Sequence, residues 1–288
     1  MSWPDYTAMA PRKKDKPRSL VLSGNGLNCE LETAHANRLV GFDVDIVHIS
    51  TLMEGAKNIH DYDFLNLPGG FLDGDDLGAG KAQAVKWRYQ RIRDSEKRFT
   101  DDLLKFVDEG KLIIGICNGF QLLTKTGLLP GPKRSYDRQR VTLTFNDSGR
   151  FEDRWVFLKT NPFSSCIFTR DIDKIYLPVR HGEGKLVLDR QADGAGLLEN
   201  GHVVMQYCNE DGTIASNFPH NPNGSTMSVA GLCDTSGRIF GLMPHPEAFV
   251  HFTQHPRWTR EKLPVEGDGL KIFRNAYEYI VNSAPSLS

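Results

Sequence analysis

Long hydrophobic runs are missing from this sequence of 288 residues. The longest apolar stretches are far shorter than the roughly 20 residues that a helix needs to span a bilayer. The N-terminal segment also lacks an apolar signal core of the usual length. Because both features are missing, we predict no transmembrane helix and no membrane partner.

An excess of charge of one sign is missing as well. The 35 Lys and Arg residues nearly balance the 36 Asp and Glu residues, which leaves a formal net charge of −1. A protein that binds nucleic acid through bulk electrostatics needs a broad positive field. We therefore expect no nucleic-acid partner.

The cysteines do not form recognisable pairs. They are five in number, they stand at 29, 117, 166, 208 and 233, and no C-x-x-C spacing occurs. A disulfide framework and a zinc site are therefore both poor interpretations, and we predict no metal site. Free thiols at these positions indicate a reducing, cytoplasmic location.

The chain is long enough to bury a full hydrophobic core, as one large domain or two small ones. Residues 1–17 are polar and basic and contain proline, which predicts a flexible N-terminal tail. The remainder shows no internal repeat and no convincing linker. One domain over residues 18–288 is therefore the simplest interpretation.

Short apolar segments alternate with segments of helical character in the first half of the chain. Leu31, Ala34, Ala36 and Leu39 have helical spacing, and Gly41 stops this helix. Strands separated by helices indicate parallel β-α-β units and therefore an α/β sheet. The predicted strands with their closing turns are 19–26, 44–49, 63–70 and 111–117. The predicted helical segments are 29–41, 81–109 with a break near Asp94–Ser95, and 118–127.

From about residue 139 to 243, short strands follow one another with few helices between them. Such strands extend the sheet or form an antiparallel layer beside it. The predicted fold is a single α/β domain with a mainly parallel open sheet, flanking helices and additional antiparallel strands. A last helix at 270–281 is expected to dock on the core through one apolar face. That face comprises Leu270, Phe273, Tyr277, Ile280 and Val281.

The stretch GICNG (115–119) carries the strongest chemical signal. A hydrophobic strand leads into Cys117, a tight turn follows and a helix begins, as in a nucleophile elbow. The helix N-terminus favours a thiolate, and the amide of Asn118 can point at an oxyanion. On this stretch alone, a buried cysteine at an ordinary strand end is an equally good interpretation.

The stretch MPHPE (243–247) supplies a candidate base. A thiol that attacks an amide needs an imidazole to carry its proton, and the imidazole needs an acceptor that fixes its tautomer. Pro246 disfavours a helix at His245, so an extended chain places His245 and Glu247 on the same side. Taken alone, the stretch is more readily a proline-rich surface turn.

The turn PGG (68–70) closes another predicted strand and exposes backbone amides. The amide of Gly70 suits the second half of an oxyanion hole, although a simple turn is the better interpretation without further context. Functional loops gather at the carboxyl ends of parallel strands. Cys117 and His245 both follow such ends, so we expect them to meet in space.

Together these stretches resemble the class I, or triad-type, glutamine amidotransferases. They are most similar to the glutaminase subunits of phosphoribosylformylglycinamidine synthase, and the similarity extends from about residue 18 to 282. The resemblance implies a flavodoxin-like core. In chain order the stretches are SGNGLNCELETAHA (23–36), PGGF (68–71), FLDGDDLGAG (71–80), GICNGFQ (115–121), HGEGK (181–185), NPNGS (221–225), VAGL (229–232) and MPHPE (243–247).

The resemblance also assigns roles to the residues of the candidate triad. It implies that Cys117 is the nucleophile, His245 the base and Glu247 the residue that orients the base. Gly70 and Asn118 would supply the oxyanion amides.

The implied substrate is L-glutamine. Gln121 would contact it, and His181 and Gly182 would line the same pocket. The reaction would pass through a γ-glutamyl thioester and release ammonia. No cofactor is implied on this chain. A separate synthetase subunit would use ATP and Mg²⁺ to convert formylglycinamide ribonucleotide to formylglycinamidine ribonucleotide in purine (IMP) synthesis, and a small third subunit often bridges the two.

The sequence departs from the family pattern in a few places. Residues 81–100 and the stretch around 131–155 look longer than standalone subunits require, and Ala248 stands where an arginine is common. Two other functions remain open. The chain could be another cysteine hydrolase of the same architecture, or a non-catalytic binding subunit that has kept the fold.

Overall fold

A computed structural model describes residues 16–93, 95–136, 138–189 and 193–283 of the chain. The predicted N-terminal tail (1–17) lies outside the described residues except for Lys16 and Pro17. The strands are β1 (Arg18–Ser23), β2 (Asp43–His48), β3 (Phe64–Leu67), β4 (Leu112–Ile116), β5 (Val141–Thr144), β6 (Glu152–Thr160), β7 (Lys174–His181), β8 (Lys185–Leu188), β9 (Val203–Cys208), β10 (Val229–Cys233) and β11 (Ile239–Leu242). The α-helices are α1 (Glu30–Val40), α2 (Ile49–Met53), α3 (Lys81–Tyr89), α4 (Phe99–Asp108), α5 (Asn118–Thr126), α6 (Gly194–Glu199) and α7 (Leu270–Ser283).

A nine-stranded sheet forms the centre of the molecule, in the order β2-β1-β3-β4-β11-β10-β9-β6-β7. The first five strands pair in parallel. Their order is that of a flavodoxin-like sheet, 2-1-3-4-5. This arrangement confirms the predicted parallel core. Its inner strands β3, β4 and β11 are buried on both faces and therefore consist of nearly continuous apolar runs.

The second half of the chain extends this sheet with antiparallel strands. β10 pairs antiparallel with both β11 and β9, and β6 pairs antiparallel with both β9 and β7. β5 and β8 form a separate two-stranded ribbon. Both arrangements that the strand pattern left open are therefore present, since the sheet is extended and a small second layer is added.

The helices α1, α3, α4, α5 and α7 agree with the predicted segments in place but not in every buried face, whereas α2 and α6 were not predicted. α3 ends at Tyr89 and α4 begins at Phe99, so the predicted segment is broken as expected, and Asp94 itself lies outside the described residues. The predicted apolar face of α1 is wrong at its ends, because Leu31 is 68% and Leu39 is 49% exposed. The helix is rotated about its axis relative to the prediction, so a different set of residues is buried. Those residues are Thr33, Ala34, Ala36, Asn37 and Val40.

The last helix docks on the core as predicted. Leu270 and Phe273 of α7 are buried, and Tyr277 packs edge-on against Phe42 with ring centroids 5.2 Å apart. Val281 is 45% exposed, so its assignment to the buried face is wrong. In the described ranges, no helix is long and apolar enough to cross a membrane.

The extra segment 81–100 is part of the packed structure. Trp87 of α3 is fully buried, and its ring centroid lies 4.7 Å from that of Phe99 in α4. Its indole nitrogen has no hydrogen-bond partner among the described residues. Packing, and not a polar contact, therefore holds this side chain.

Trp87→Ala should lower the free energy of unfolding by about 3–5 kcal/mol, because it leaves a large cavity between α3 and α4. Urea denaturation measures this change. Trp258→Ala is the matched control, since Trp258 is 45% exposed and its loss should cost no more than about 1 kcal/mol. Similar losses in both variants would show that segment 81–100 is not anchored by Trp87.

Candidate active site

Three neighbouring parallel strands end at the same edge of the sheet. β4 lies between β3 and β11, and its register pairs Gly115 with Leu67 and Ile116 with Leu242. Cys117 therefore leaves β4 beside the turn that follows β3 and the segment that follows β11. The amide of Cys117 donates to the carbonyl oxygen of Leu242 at 2.8 Å, which fixes the cysteine to the neighbouring strand.

The turn at Cys117 is strained. Its backbone has φ 51° and ψ −104°, in the left-handed half of conformational space that residues other than glycine rarely adopt. α5 begins at the next residue, and the amide of Gln121 donates to the Cys117 carbonyl at 3.0 Å. Gly119 permits this close approach, because a Cβ there would lie 2.0 Å from the carbonyl oxygen of Leu67. The sequence GICNG thus forms the predicted elbow.

His245 and Glu247 form a buried pair. Nδ1 of His245 lies 2.6 Å from Oε1 of Glu247. The assumption of an extended chain through Glu247 is wrong, because Pro246–Ala248 forms a 3₁₀ turn after an extended His245 (φ −106°, ψ 91°). Proline at the first position of the turn has its φ already set. The turn, and not strand alternation, brings the carboxylate to the imidazole.

The environment of His245 controls its protonation. Burial disfavours the charged ring, but the Glu247 carboxylate and the Cys117 thiol raise the pKa of His245 well above its usual value. Nε2 is buried and makes no hydrogen bond of good geometry within the described part of the chain, although the Cys117 thiol lies close to the ring. Such contacts are often loose until substrate binds.

A cavity of about 280 Å³ adjoins Cys117 and His245. Its size is near the lower end of the range for small-molecule sites and suits a single amino acid. Asn118 and Glu247 lie behind its wall, and each is 1% exposed. The predicted site residues that line the cavity are Gly70, Cys117, Gln121, His181, Gly182 and His245.

Gly70 occupies a position that only glycine fits. Its φ is 145°, and a Cβ would lie 2.6 Å from Cα of Leu27 and 2.9 Å from the amide nitrogen of Asn28. The amide of Cys29 donates to the carbonyl of Gly69 at 3.3 Å, which holds the turn against the start of α1. Gly70 lines the same cavity as the Cys117 thiol. Its role in an oxyanion hole remains a prediction.

Asn118 and Gln121 form one hydrogen-bonded wall. Nδ2 of Asn118 donates to Oε1 of Gln121 at 3.0 Å, and Oδ1 of Asn118 accepts from the amide of Leu72 at 3.2 Å. Nε2 of Gln121 donates to the carbonyl of Glu183 at 2.6 Å. The Asn118 side chain thereby ties α5 to the loop after β3, while its backbone amide stays at the helix N-terminus, where no intrahelical acceptor exists.

His181 lies against the same cavity and is buried. Burial, followed by the charge of His245, lowers the pKa of His181 to about 3, so the ring is neutral. Its Nδ1 lies 3.2 Å from Oδ1 of Asn146. The carbonyl of Gly182 accepts from the amide of the same asparagine at 2.9 Å, so Asn146 fixes both predicted residues.

Sequence reasoning missed several residues of the cavity. Cys29, to which the sequence analysis assigned no role in the site, is buried and lines it together with Asp75 and Glu183. Phe145 and Phe151 also line it, and they are 69% and 54% exposed. The first three lie in stretches that carry the family resemblance, which was an available signal. The two phenylalanines come from the extra stretch 131–155, for which no signal existed.

Asp75 adds a carboxylate to the wall. Its backbone is left-handed (φ 54°), and Oδ1 accepts from the amide of Gly80 and from Asn118, both at 3.1 Å. Burial raises the pKa of Asp75, these hydrogen bonds oppose the shift, and the charge of Glu183 adds to it. Two acidic side chains therefore share one end of the cavity.

His181→Asn should flatten the acid limb of the stability curve. The folded pKa of about 3 lies below the unfolded value of about 6.5. The unfolded state therefore binds more protons between these values, and stability falls by up to about 1.4 kcal/mol for each unit of falling pH. Above about 6.5 this contribution is fully present.

Urea unfolding from pH 7 down to pH 4 measures the slope. His220→Asn is the control, because His220 is exposed and the same substitution there removes no buried ring. The same slope in His181→Asn as in the wild type would contradict the assignment of His181 as a buried neutral ring.

Comparison with known proteins gives a consistent result. The family model for the CobB/CobQ-like glutamine amidotransferase domain matches residues 16–280. Phosphoribosylformylglycinamidine synthase subunit PurQ of Dehalococcoides mccartyi is 48% identical over 264 residues, which cover 92% of this chain and 98% of that protein. Subunit PurQ of Methanococcus maripaludis is 42% identical over 274 residues, which cover 91% and 97%.

A solved structure agrees with this relationship. A chain in the structure of PurLQS from Thermotoga maritima is 30% identical and superposes with a TM-score of 0.66, covering 92% of this chain and 99% of that chain. The match confirms the predicted fold class, and the sequence relatives confirm the resemblance. This chain therefore belongs to the glutamine amidotransferase family, in the group of the PurQ subunits of phosphoribosylformylglycinamidine synthase.

Proposed function

We propose that this chain is the glutaminase subunit of a phosphoribosylformylglycinamidine synthase, which hydrolyses L-glutamine to glutamate and ammonia. The observation that carries the proposal is the placement of Cys117, on a strained elbow, in one cavity with His245, whose other nitrogen lies 2.6 Å from Glu247. Relatives at 48% and 42% identity are subunits of that synthase.

The first step forms a thioester. The sulfur of Cys117 attacks the side-chain amide carbon of glutamine while His245 takes the thiol proton on Nε2. Glu247 keeps the tautomer with hydrogen on Nδ1 and stabilises the imidazolium that forms. His245 then returns the proton to the amide nitrogen, the C–N bond breaks, and ammonia leaves.

The amide oxygen carries negative charge while the bond to sulfur forms. We assign the donors to this oxygen as the backbone amides of Asn118, which follows Cys117 at the start of α5, and of Gly70, which lines the same cavity. Their positions are rigid, since Gly70 is confined by packing and Asn118 begins α5. A rigid donor stabilises the developing charge without the cost of reorienting.

The second step releases glutamate. Water enters the space that ammonia vacated, and His245 removes its proton as the oxygen attacks the thioester carbon. The carbon–sulfur bond breaks, and the sulfur of Cys117 recovers the proton. His181 stays neutral beside the cavity because its pKa is lowered to about 3, so we assign the role of base to His245.

The cavity walls suit the remainder of an amino acid. Gln121, His181 and Gly182 line the cavity beside the nucleophile. Asp75 and Glu183 place carboxylates at the same wall, where they can attract the α-ammonium group of glutamine. We assign substrate contact to these residues as a group.

The ammonia is used by a partner. The Thermotoga maritima structure is of a PurLQS assembly, which supports a synthetase partner for this chain. We assign ATP and Mg²⁺ to that synthetase and no cofactor to this chain. A small third subunit would bridge the two. All five cysteines are buried free thiols, which suits the reducing cytoplasm.

Cys117→Ala should lower the rate of glutamine-dependent formation of formylglycinamidine ribonucleotide in the reconstituted complex by roughly 1,000-fold or more, because no thioester forms. The same complex should still work with ammonium salt. Cys208→Ala, which removes a buried thiol at the end of β9, is the control and should retain both activities.

Mass spectrometry after treatment with a glutamine-like diazoketone should find one adduct, on Cys117, in the wild type and none in Cys117→Ala. Glutamine-dependent amidation that survives Cys117→Ala would leave only the non-catalytic alternative. A labelled chain that hydrolyses glutamine but never supports the synthetase would indicate another cysteine hydrolase.

The cavity mouth is the surface we assign to the synthetase. Ammonia that leaves the cavity must reach the partner before it escapes into water, so the partner has to cover the mouth. Phe145 and Phe151 line the cavity and are largely exposed. Exposed aromatic side chains are enriched at protein interfaces.

The double substitution Phe145→Ser and Phe151→Ser should weaken binding of the synthetase by at least roughly 10-fold, about 1.4 kcal/mol, because it removes two anchors. Titration of the labelled chain with synthetase measures the Kd. Phe163→Ser is the control, since Phe163 is 76% exposed and does not line the cavity. Equal affinities in the wild type and the double variant would place the docking surface elsewhere.

A further inference from the structure

A second cavity lies at the opposite edge of the sheet from the glutamine site. β10 pairs antiparallel with β11, and Cys233 at the end of β10 lies opposite Phe240 near the start of β11. Cys117, in contrast, follows the end of β4, beside the end of β11. The second cavity has a volume of about 480 Å³, and its wall includes His202, just before β9, and Thr235, just after β10. The fold therefore contains a space of ligand size that glutamine hydrolysis does not use.

The ribbon of β5 and β8 runs between the two cavities. Arg140 directly precedes β5 and lines the second cavity, whereas Phe145 directly follows β5 and lines the glutamine cavity. Because β8 is antiparallel, Glu183 before it lines the glutamine cavity and Asp189 after it lines the second one. Four residues of strand span roughly 13 Å. Ligands in the two cavities should therefore not compete for space.

Cationic side chains outnumber acidic ones in the wall of the second cavity. Lys133, Arg138 and Arg140 are the cations, and Asp189 and Asp193 are the acids. Asp189 pairs with Arg138. The carboxylate of Asp193 caps α6, since it accepts a hydrogen bond of 2.9 Å from a backbone amide of that helix. Both acids are thus engaged, and the charges of Lys133 and Arg140 favour an anion.

The guanidinium of Arg140 is incompletely hydrogen-bonded. Its Nη2 donates to Oγ of Ser135 at 2.8 Å, but its Nε is buried and has no partner among the described residues. A buried donor without an acceptor is unfavourable in free energy, so an acceptor in the cavity would be stabilising. Phosphate oxygens suit this side chain, because the planar guanidinium can donate two parallel hydrogen bonds to them.

The rest of the wall suits the organic part of a phosphate ester. Leu197 is buried and contributes apolar surface, while Asn200 and Thr235 contribute polar side chains. Nδ1 of His202 donates to the carbonyl oxygen of Cys233 at 3.1 Å, which leaves Nε2 as the second polar atom of this ring. Inorganic phosphate would fill only a small part of a cavity of about 480 Å³. A phosphate that carries a sugar, or a sugar and a base, fits the space better.

We propose that the second cavity is a binding site for a small phosphate ester. The phosphate group lies on Lys133 and Arg140, and the sugar, with or without a base, lies against Leu197 and His202. Binding is noncovalent and leaves Cys117 accessible to glutamine. Sugar phosphates and nucleoside monophosphates share this chemistry.

Titration calorimetry on the intact chain tests the proposal with ribose 5-phosphate and AMP as probes. Ribose and adenosine are the matched controls without phosphate. At least one ester should bind at a single site, and its unphosphorylated counterpart should bind at least roughly 10-fold more weakly, because hydrogen bonds to a charged group are lost. Binding of AMP alone would show that the site recognises the base as well. Saturable binding of neither ester, or equal affinity for an ester and its counterpart, would overturn the proposal.

Substitutions in the wall locate the bound ester. Arg140→Gln should raise its Kd by at least roughly 10-fold. Lys133→Gln should raise it by roughly 2–5-fold, because an exposed ion pair contributes less. Lys262→Gln is the matched control, since Lys262 is exposed and lines neither cavity. Lys133 is exposed, so its variant remains a test even where Arg140→Gln impairs folding. The same Kd in Lys133→Gln as in Lys262→Gln would contradict the proposed site.

Labelling of Cys117 with the glutamine-like diazoketone separates the two cavities. The labelled chain should bind the ester with the wild-type Kd, because the adduct occupies only the glutamine cavity. Loss of ester binding after labelling would place the ester beside Cys117 and overturn the proposal. Calorimetry does not depend on glutamine hydrolysis, so the proposed function and this site can fail separately.

Discussion

The parallel pairing of β4 with β3 on one side and β11 on the other is the constraint on which the site depends. It places Ile116 opposite Leu242, so the chain leaves both strands at one edge of the sheet. Cys117 directly follows Ile116, and a short segment connects Leu242 to His245. A slip of one residue in this register would turn the side chains to the opposite face. The sheet core therefore sets the distance between thiol and imidazole.

The site combines several features that are locally unfavourable in free energy, and the stability of the rest of the fold compensates for them. The backbone of Cys117 is strained, and Asp75 also has a positive φ. Nε2 of His245 and Oε2 of Glu247 are buried without hydrogen-bond partners among the described residues. Parallel strands buried on both faces offset these costs elsewhere. The same buried atoms provide reactivity toward an amide.

Much of the architecture followed from apolar periodicity and glycine placement, because buried parallel strands and helix ends leave local signals. The buried face of α1 did not follow from this periodicity. Leu31 and Leu39 point to solvent while Thr33 and Asn37 are buried, since Asn37 donates to Asn66 of β3 at 3.0 Å. A buried hydrogen-bond network can outweigh the preference of leucine for the core, and its partners lie far apart in sequence.

The sequence by itself determined the elbow at Cys117, the His245 and Glu247 stretch, the order of strands and helices, and the family. Each of these is a short-range pattern, set by which residues tolerate a turn or fill a strand. Only the tertiary structure decided that a 3₁₀ turn joins His245 to Glu247 and that Cys29 enters the cavity. Those features arise from packing between distant segments around Gly69, and contact between distant segments leaves no local spacing in a single sequence.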